Sequence, residues 1–92
     1  MPGDFVWDSE KAAKNARKHR VTFEEAMTIF TDPRSLTIYD EEHSAAEDRY
    51  VSLGRSEKGR LLVVVHADAD EDIRLISARK ATKSEQEQYG TP

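Results

Sequence analysis

The sequence predicts an α+β domain, and three observations carry that reading. Two Thr-x-x-Glu capping boxes, at Thr22–Glu25 and Thr82–Glu85, mark helix starts. Five consecutive aliphatics from Leu61 to Val65 mark a buried strand. Short polar turns flank that run and separate it from further strand-like segments, which is the spacing of an antiparallel meander.

Taken in order, Phe5-Val6-Trp7 is a short strand candidate, and Asp8 or Ser9 then offers an N-cap for a helix over about 9–19. That helix carries Lys11, Lys14 and Lys18 at i, i+3, i+7, a basic stripe, with Ala12, Ala13 and Ala16 as a thin apolar side. Thr22 caps a second helix over about 22–31, in which Phe23, Ala26, Met27 and Phe30 recur at helical spacing. Asp32-Pro33 ends it, because the residue before a proline is pushed out of helical geometry. Leu36 to Tyr39 reads as a strand and Asp48 to Arg55 as its return, with Val51 and Leu53 sharing one face with Arg49 and Arg55 at its ends. Ser56-Glu57-Lys58-Gly59 is a hairpin turn into Arg60 to His66. Ala67 to Asp72 reads as a loop, and Ile73 to Ala78 as the last strand. If that strand stays extended, Arg74 and Lys80 share one face and Arg79 takes the other. Thr82 opens a final helix over about 82–89. The expectation is an antiparallel sheet of three to four strands packed by two N-terminal helices and one C-terminal helix.

Ninety-two residues hold one core, so residues 1–92 read as a single domain. Zero cysteines exclude a disulfide framework, a thiolate nucleophile and a cysteine-based metal site. No apolar run approaches the roughly 20 residues of a membrane span, and a cytoplasmic, soluble protein is expected. The net charge of -4 is unevenly spread: residues 1–21 carry +2, 22–48 carry -7, 49–67 carry +3 and 68–92 carry -2. A polyanion would therefore be held by a local basic surface and not by the total field.

Asp68-Ala69-Asp70-Glu71-Asp72 resembles the start of a calcium loop but has Ile73 where glycine is needed and Arg79 where a bidentate glutamate is needed. His19, His43 and His66 fall in three segments without metal-ligand spacing, and His19 suits a helix C-terminus on structural grounds. The acidic stretch from Asp40 to His43, with Glu47 and Asp48, reads chiefly as a solvated loop. The basic residues say more. Arg49, Arg60 and Arg74 fall on neighbouring strands, where a guanidinium needs solvent, a carboxylate or a phosphate. Both a polyanion site and cross-strand ion pairs with Glu47, Asp48 and Asp72 fit.

Phe5-Val6-Trp7-Asp8, Lys11 with Asn15 and Lys18-His19, Val21-x-Phe23-Glu24-Glu25-Ala26, and Phe30-x-Asp32-Pro33 follow one another in a specific order. His43-Ser44-x-x-Glu47-x-Arg49, Gly54-Arg55-Ser56, and Ile76-Ser77-Ala78-Arg79-Lys80-Ala81-Thr82 with Glu85 and Tyr89 continue it. In these residues the chain resembles the BrnT family of type II toxin-antitoxin toxins, small ribonucleases with a RelE-like fold. One departure is Arg20, where the family usually has glycine; a left-handed helix end there costs arginine about 1 kcal/mol.

The resemblance implies RNA cleavage without a metal or other cofactor. It also implies an antitoxin partner with a ribbon-helix-helix DNA-binding domain, two toxin copies per complex, and DNA contact only through that complex. Metal-free cleavage needs the 2′-hydroxyl activated, the phosphorane charge stabilised and the 5′-oxygen protonated. Arg74 and Arg79 are the expected phosphate stabilisers and His19 and Lys80 the expected proton-transfer groups. Lys18 and Arg49 would position the RNA backbone, and Tyr89 would stack a base. Two other classes fit the residues: a non-catalytic module that docks an antitoxin or nucleic acid, and a metal-dependent hydrolase built on His43, Glu47, Asp68 and His66.

Overall fold

Local capping chemistry sets the N-terminal half. The computed structural model describes residues 4–90, beginning with β1 (Phe5–Val6) and α1 (Ser9–His19). Asp8 is the N-cap of α1, its Oδ1 accepting from the backbone N–H of Glu10 at 2.8 Å and of Lys11 at 3.1 Å. At the other end Arg20 adopts φ 60° and donates its N–H to the Ala16 carbonyl, so the departure from glycine leaves the left-handed exit in place.

Thr22 caps α2 (Phe23–Met27), accepting from the Glu25 N–H at 3.1 Å, but only half of the expected capping box forms. The Glu25 carboxylate turns inward, is 2% exposed, and binds Ser56 Oγ at 2.7 Å and the Arg60 guanidinium, which holds its pKa below the ordinary carboxylate value. The helix expected to reach residue 31 is α-helical only to Met27 and then tightens to a 3-10 turn over Thr28–Thr31. There the hydroxyls of Thr28 and Thr31 donate to the carbonyls of Glu25 and Thr28.

The sheet has five strands: β1, β2 (Leu36–Tyr39), β3 (Arg49–Arg55), β4 (Leu61–Ala69) and β5 (Asp72–Lys80), in the spatial order β1-β5-β4-β3-β2. Four of them form the expected antiparallel meander. The sheet is nonetheless mixed, because β1 pairs parallel with β5 at Phe5–Ile73 and Val6–Arg74. This corrects the expected all-antiparallel sheet of three to four strands: two residues carry no alternation to read, and their pairing with a strand near the other end of the chain is set by tertiary packing. The Leu61–Val65 run lies in the central strand, where Leu62, Val63 and Val64 are buried as expected. The expected loop over 67–72 shrinks to a tight turn at Asp70-Glu71, with Asp70 at φ 59°, because β4 and β5 run on to Ala69 and Asp72. The last element is α3 (Lys83–Gln88), whose Thr82–Glu85 capping box is complete.

On one face of the sheet α1 and α2 bury Val21, Phe23, Ala26 and Ile29 against Leu62, Val64, Leu75 and Ala78. Asn15 ties α1 to β5. Its amide donates to the carbonyls of Val21 at 3.0 Å and Ala78 at 2.8 Å and accepts from the Ala78 N–H at 3.0 Å. The opposite face carries a smaller cluster, Leu53, Val63 and Ala81, with Tyr89 packed on it.

A bulge in β5 decides which charged residues meet. Val65 pairs with Ser77 and His66 with Leu75, so Ile76 is the extra residue. Its insertion reverses the alternation expected for β5. Arg74 and Arg79, opposite Ala67 and Val63, point to the open face with Arg49, whereas Lys80, opposite Leu62, belongs to the helix-covered face.

Candidate nucleic-acid interface

The basic stripe of α1 lies beside the β5 bulge. Lys11, Lys14, Asn15, Lys18 and His19 line a shallow depression of about 320 Å³ together with Ile76 and Ser77. The same two bulge residues line a second depression, about 230 Å³, with Asp40, His43, Arg49 and Val65. The two adjoin at Ile76–Ser77, which both share, so Lys11, Lys14, Lys18 and His19 border one side of the bulge and Arg49 and His43 the other.

The side with His43 is stapled to the sheet. Asp40 donates its N–H to the Arg49 carbonyl at 2.8 Å, and the Arg49 N–H donates to Ser44 Oγ at 3.0 Å, while Ser44 Oγ donates to the Asp40 carbonyl. Within that turn His43 Nδ1 lies 2.9 Å from Asp40 Oδ2, and the imidazole is 61% exposed. The Arg49 Nε atom is buried without a hydrogen-bond partner, and its Nη2 lies 3.5 Å from Glu47 Oε2. The same Glu47 oxygen accepts from Arg74, and this contact keeps the Glu47 pKa below its ordinary value.

Of the residues singled out in sequence, Lys18, His19 and Arg49 thus border these depressions, and Arg74 is tied to Arg49 through Glu47. The other three sit elsewhere. Arg79 gives both arms of its guanidinium to Glu85, at 2.7 and 2.8 Å. Lys80 is exposed at the end of β5 on the helix-covered side. Tyr89 donates to Asp32 Oδ2 at 2.6 Å and lies under the Arg55 guanidinium, 5.2 Å from the ring centre. Arg60, grouped in sequence with Arg49 and Arg74, is drawn to the helix side by Glu25. Asp40 and His43, which in sequence look like part of a solvated loop, pair in the structure; the Asp-x-x-His spacing in a turn ahead of a strand is the signal for it.

No three His, Asp or Glu side chains among the described residues gather in a metal-binding cluster. His66 is 6% exposed, its Nε2 2.7 Å from Ser52 Oγ, and burial lowers its pKa. A larger depression, about 670 Å³, opens elsewhere and is lined by Asp4, Phe5, Trp7, Met27, Thr28, Thr31 and Glu57. With two carboxylates and no cation on its walls, it suits a polyanion poorly. No helix among the described residues is long and apolar enough to cross a membrane.

No curated protein sequence matches the chain. The crystal structure of the Brucella abortus ribonuclease toxin BrnT is similar in fold, with a TM-score of 0.67 at 18% identity over 87% of this chain and 97% of that one. The family model described as the ribonuclease toxin BrnT of type II toxin-antitoxin systems matches residues 7–85, and on that match this chain belongs to the BrnT family of ribonuclease toxins.

Proposed function

We propose that this chain is an endoribonuclease that needs no metal, and that it binds single-stranded RNA along the path from α1 across the β5 bulge to Arg49. The observation that carries this reading is that two depressions share Ile76 and Ser77, which brings Lys11, Lys14, Lys18 and His19 to one side of the bulge and Arg49 to the other in an otherwise acidic protein. Phosphates are the ligand such a strip suits, because each lysine or arginine on it displaces counterions from the nucleic acid.

In this reading Lys18 and Arg49 hold backbone phosphates and His19 transfers a proton. Arg49 and Arg74 together counter charge on the reacting phosphate, with Glu47 released as the phosphate enters. Arg79 joins them only by exchanging Glu85 for a phosphate. Lys80 and Tyr89, which the sequence brought forward as acid or base and as a stacking platform, act outside the path. The fold is of the RelE-like type, the protein works in the cytoplasm, and its partner is a ribbon-helix-helix antitoxin that pairs with two toxin copies.

Incubating the purified chain with total RNA in the presence of a chelator tests the reading. Fragmentation that a co-purified antitoxin suppresses is the expected result. Intact RNA with harmless expression would leave a binding module in its place, and fragmentation that the chelator abolishes would point to a metal-dependent hydrolase.

A further inference from the structure

We propose that His43, held by Asp40, is the general base of the cleavage reaction, working opposite His19 across the β5 bulge. This deepens the ribonuclease reading and rests on it. The geometry is a built one. Asp40, Ser44 and Arg49 are tied by three hydrogen bonds, one within the turn and two from it to the start of β3, so the turn bearing His43 is fixed to the sheet. Asp40 is the better shielded partner, its side chain 18% exposed against 61% for the imidazole.

A carboxylate on Nδ1 fixes the tautomer: Nδ1 carries the proton it donates to Asp40, and Nε2 is left with a free lone pair. His43 and Asp40 both line the smaller depression, whose wall includes Arg49. His19 lines the adjoining depression with Lys11, Lys14 and Lys18. Glu41 and Glu42 neighbour His43 on its own turn, Arg49 shares its depression, and Glu47 pairs with Arg49 and Arg74.

The step balances without a co-reactant. Nε2 of His43 takes the proton of the ribose 2′-hydroxyl as the 2′-oxygen bonds to phosphorus. The bond from phosphorus to the 5′-oxygen breaks, and His19 gives its proton to that oxygen. The products are a 2′,3′-cyclic phosphate and a 5′-hydroxyl. Asp40 touches no reacting atom and is a positioning residue.

The test compares the full-length wild type with His43→Gln, Asp40→Asn and His43→Gly on a short RNA oligonucleotide in chelator, following kcat and KM across pH. A positioned general base contributes typically about 100- to 10,000-fold, so His43→Gln is expected to lose that much of kcat with KM little changed. The acidic limb of its pH profile should flatten, and the end group on wild-type fragments should be the cyclic phosphate. Asp40→Asn should lose up to about 10,000-fold, the cost where an aspartate that orients a general-base imidazole is replaced by asparagine. Added imidazole should restore part of the rate to His43→Gly, which a merely structural role would not allow. A His43→Gln variant with wild-type kcat and pH profile, or a His43→Gly variant that imidazole leaves unchanged, overturns the assignment while the ribonuclease reading stands. An inactive wild type overturns that reading first.

Discussion

Arg79 grips Glu85 with both arms of its guanidinium, Nη1 on Oε1 at 2.7 Å and Nη2 on Oε2 at 2.8 Å, while Oε1 also accepts the Thr82 N–H at 2.8 Å. One carboxylate thus closes the capping box of α3 and ties that helix back to β5. The Arg79 contact is the largest cause that brings the Glu85 pKa down to about 2 from 4.5.

Arg79→Ala should therefore lower stability. Both side chains are partly open to solvent, 40% and 29% exposed, so screening limits the pair. A loss of about 1 kcal/mol, or a Tm lower by about 4–8 °C for a domain of this size, is expected. Cleavage measured well below that Tm should stay within about tenfold of wild type. An unchanged Tm with cleavage gone would instead return Arg79 to the reacting phosphate.

The same pair sets an acid response. A depressed carboxylate stabilises the fold above its unfolded-state pKa and loses that contribution as pH falls through the folded value. For Glu85 the window runs from about 4.5 down to about 2. Denaturant titrations across that range should show wild type losing more stability than Arg79→Ala, whose Glu85 is held down only by its Thr82 contacts.

His66 gives a second, higher window. Burial favours its neutral form, so the folded pKa lies below 6.5. The contribution is complete above that value and is lost as pH falls below it, because the unfolded chain binds the proton more readily. His66→Gln should flatten the fall in stability as pH drops below about 6.5. It should also cost about 1 kcal/mol at neutral pH, because Ser52, 1% exposed, loses the imidazole and keeps only Thr37 Oγ1.

Much of this was legible in sequence because local chemistry decided it. The Thr22 and Thr82 caps, the Asp32-Pro33 stop and the aliphatic centre of β4 are each set within four or five residues. The left-handed Arg20 was legible too. Arg20→Gly should raise stability by up to about 1 kcal/mol in a chemical melt, since glycine carries no Cβ penalty at φ 60°. What was not legible depends on distant partners. Glu25 reads as a capping residue and becomes the counter-ion of Arg60. The bulge at Ile76 leaves no periodicity to announce it, yet it moves Arg74 onto the face of Arg79 and borders both the α1 and the Arg49 depressions. Asp40 and His43 read as solvated because the Ser44 staple that fixes their turn closes only when β3 forms.

Asn15 joins fold and site, since its side-chain amide is what holds the basic face of α1 against the bulge. Removing it leaves the carbonyls of Val21 and Ala78 and the Ala78 N–H without their partner in a position 8% exposed. Each buried group left unpaired costs about 1–3 kcal/mol, so Asn15→Ala should lose about 3 kcal/mol or more in a urea titration. Asn15→Asp, which keeps the acceptor and loses both donor contacts, should recover little of it.

The central claim is that RNA is cut on the path that crosses the β5 bulge, and the cleavage rate of a Lys18→Ala/Arg49→Ala double variant in chelator tests it most directly. Removing one fixed donor opposite developing charge costs typically about 100- to 1000-fold in rate, so the account predicts a loss of at least that size with the circular dichroism spectrum preserved. A double variant that cuts RNA at the wild-type rate would contradict it.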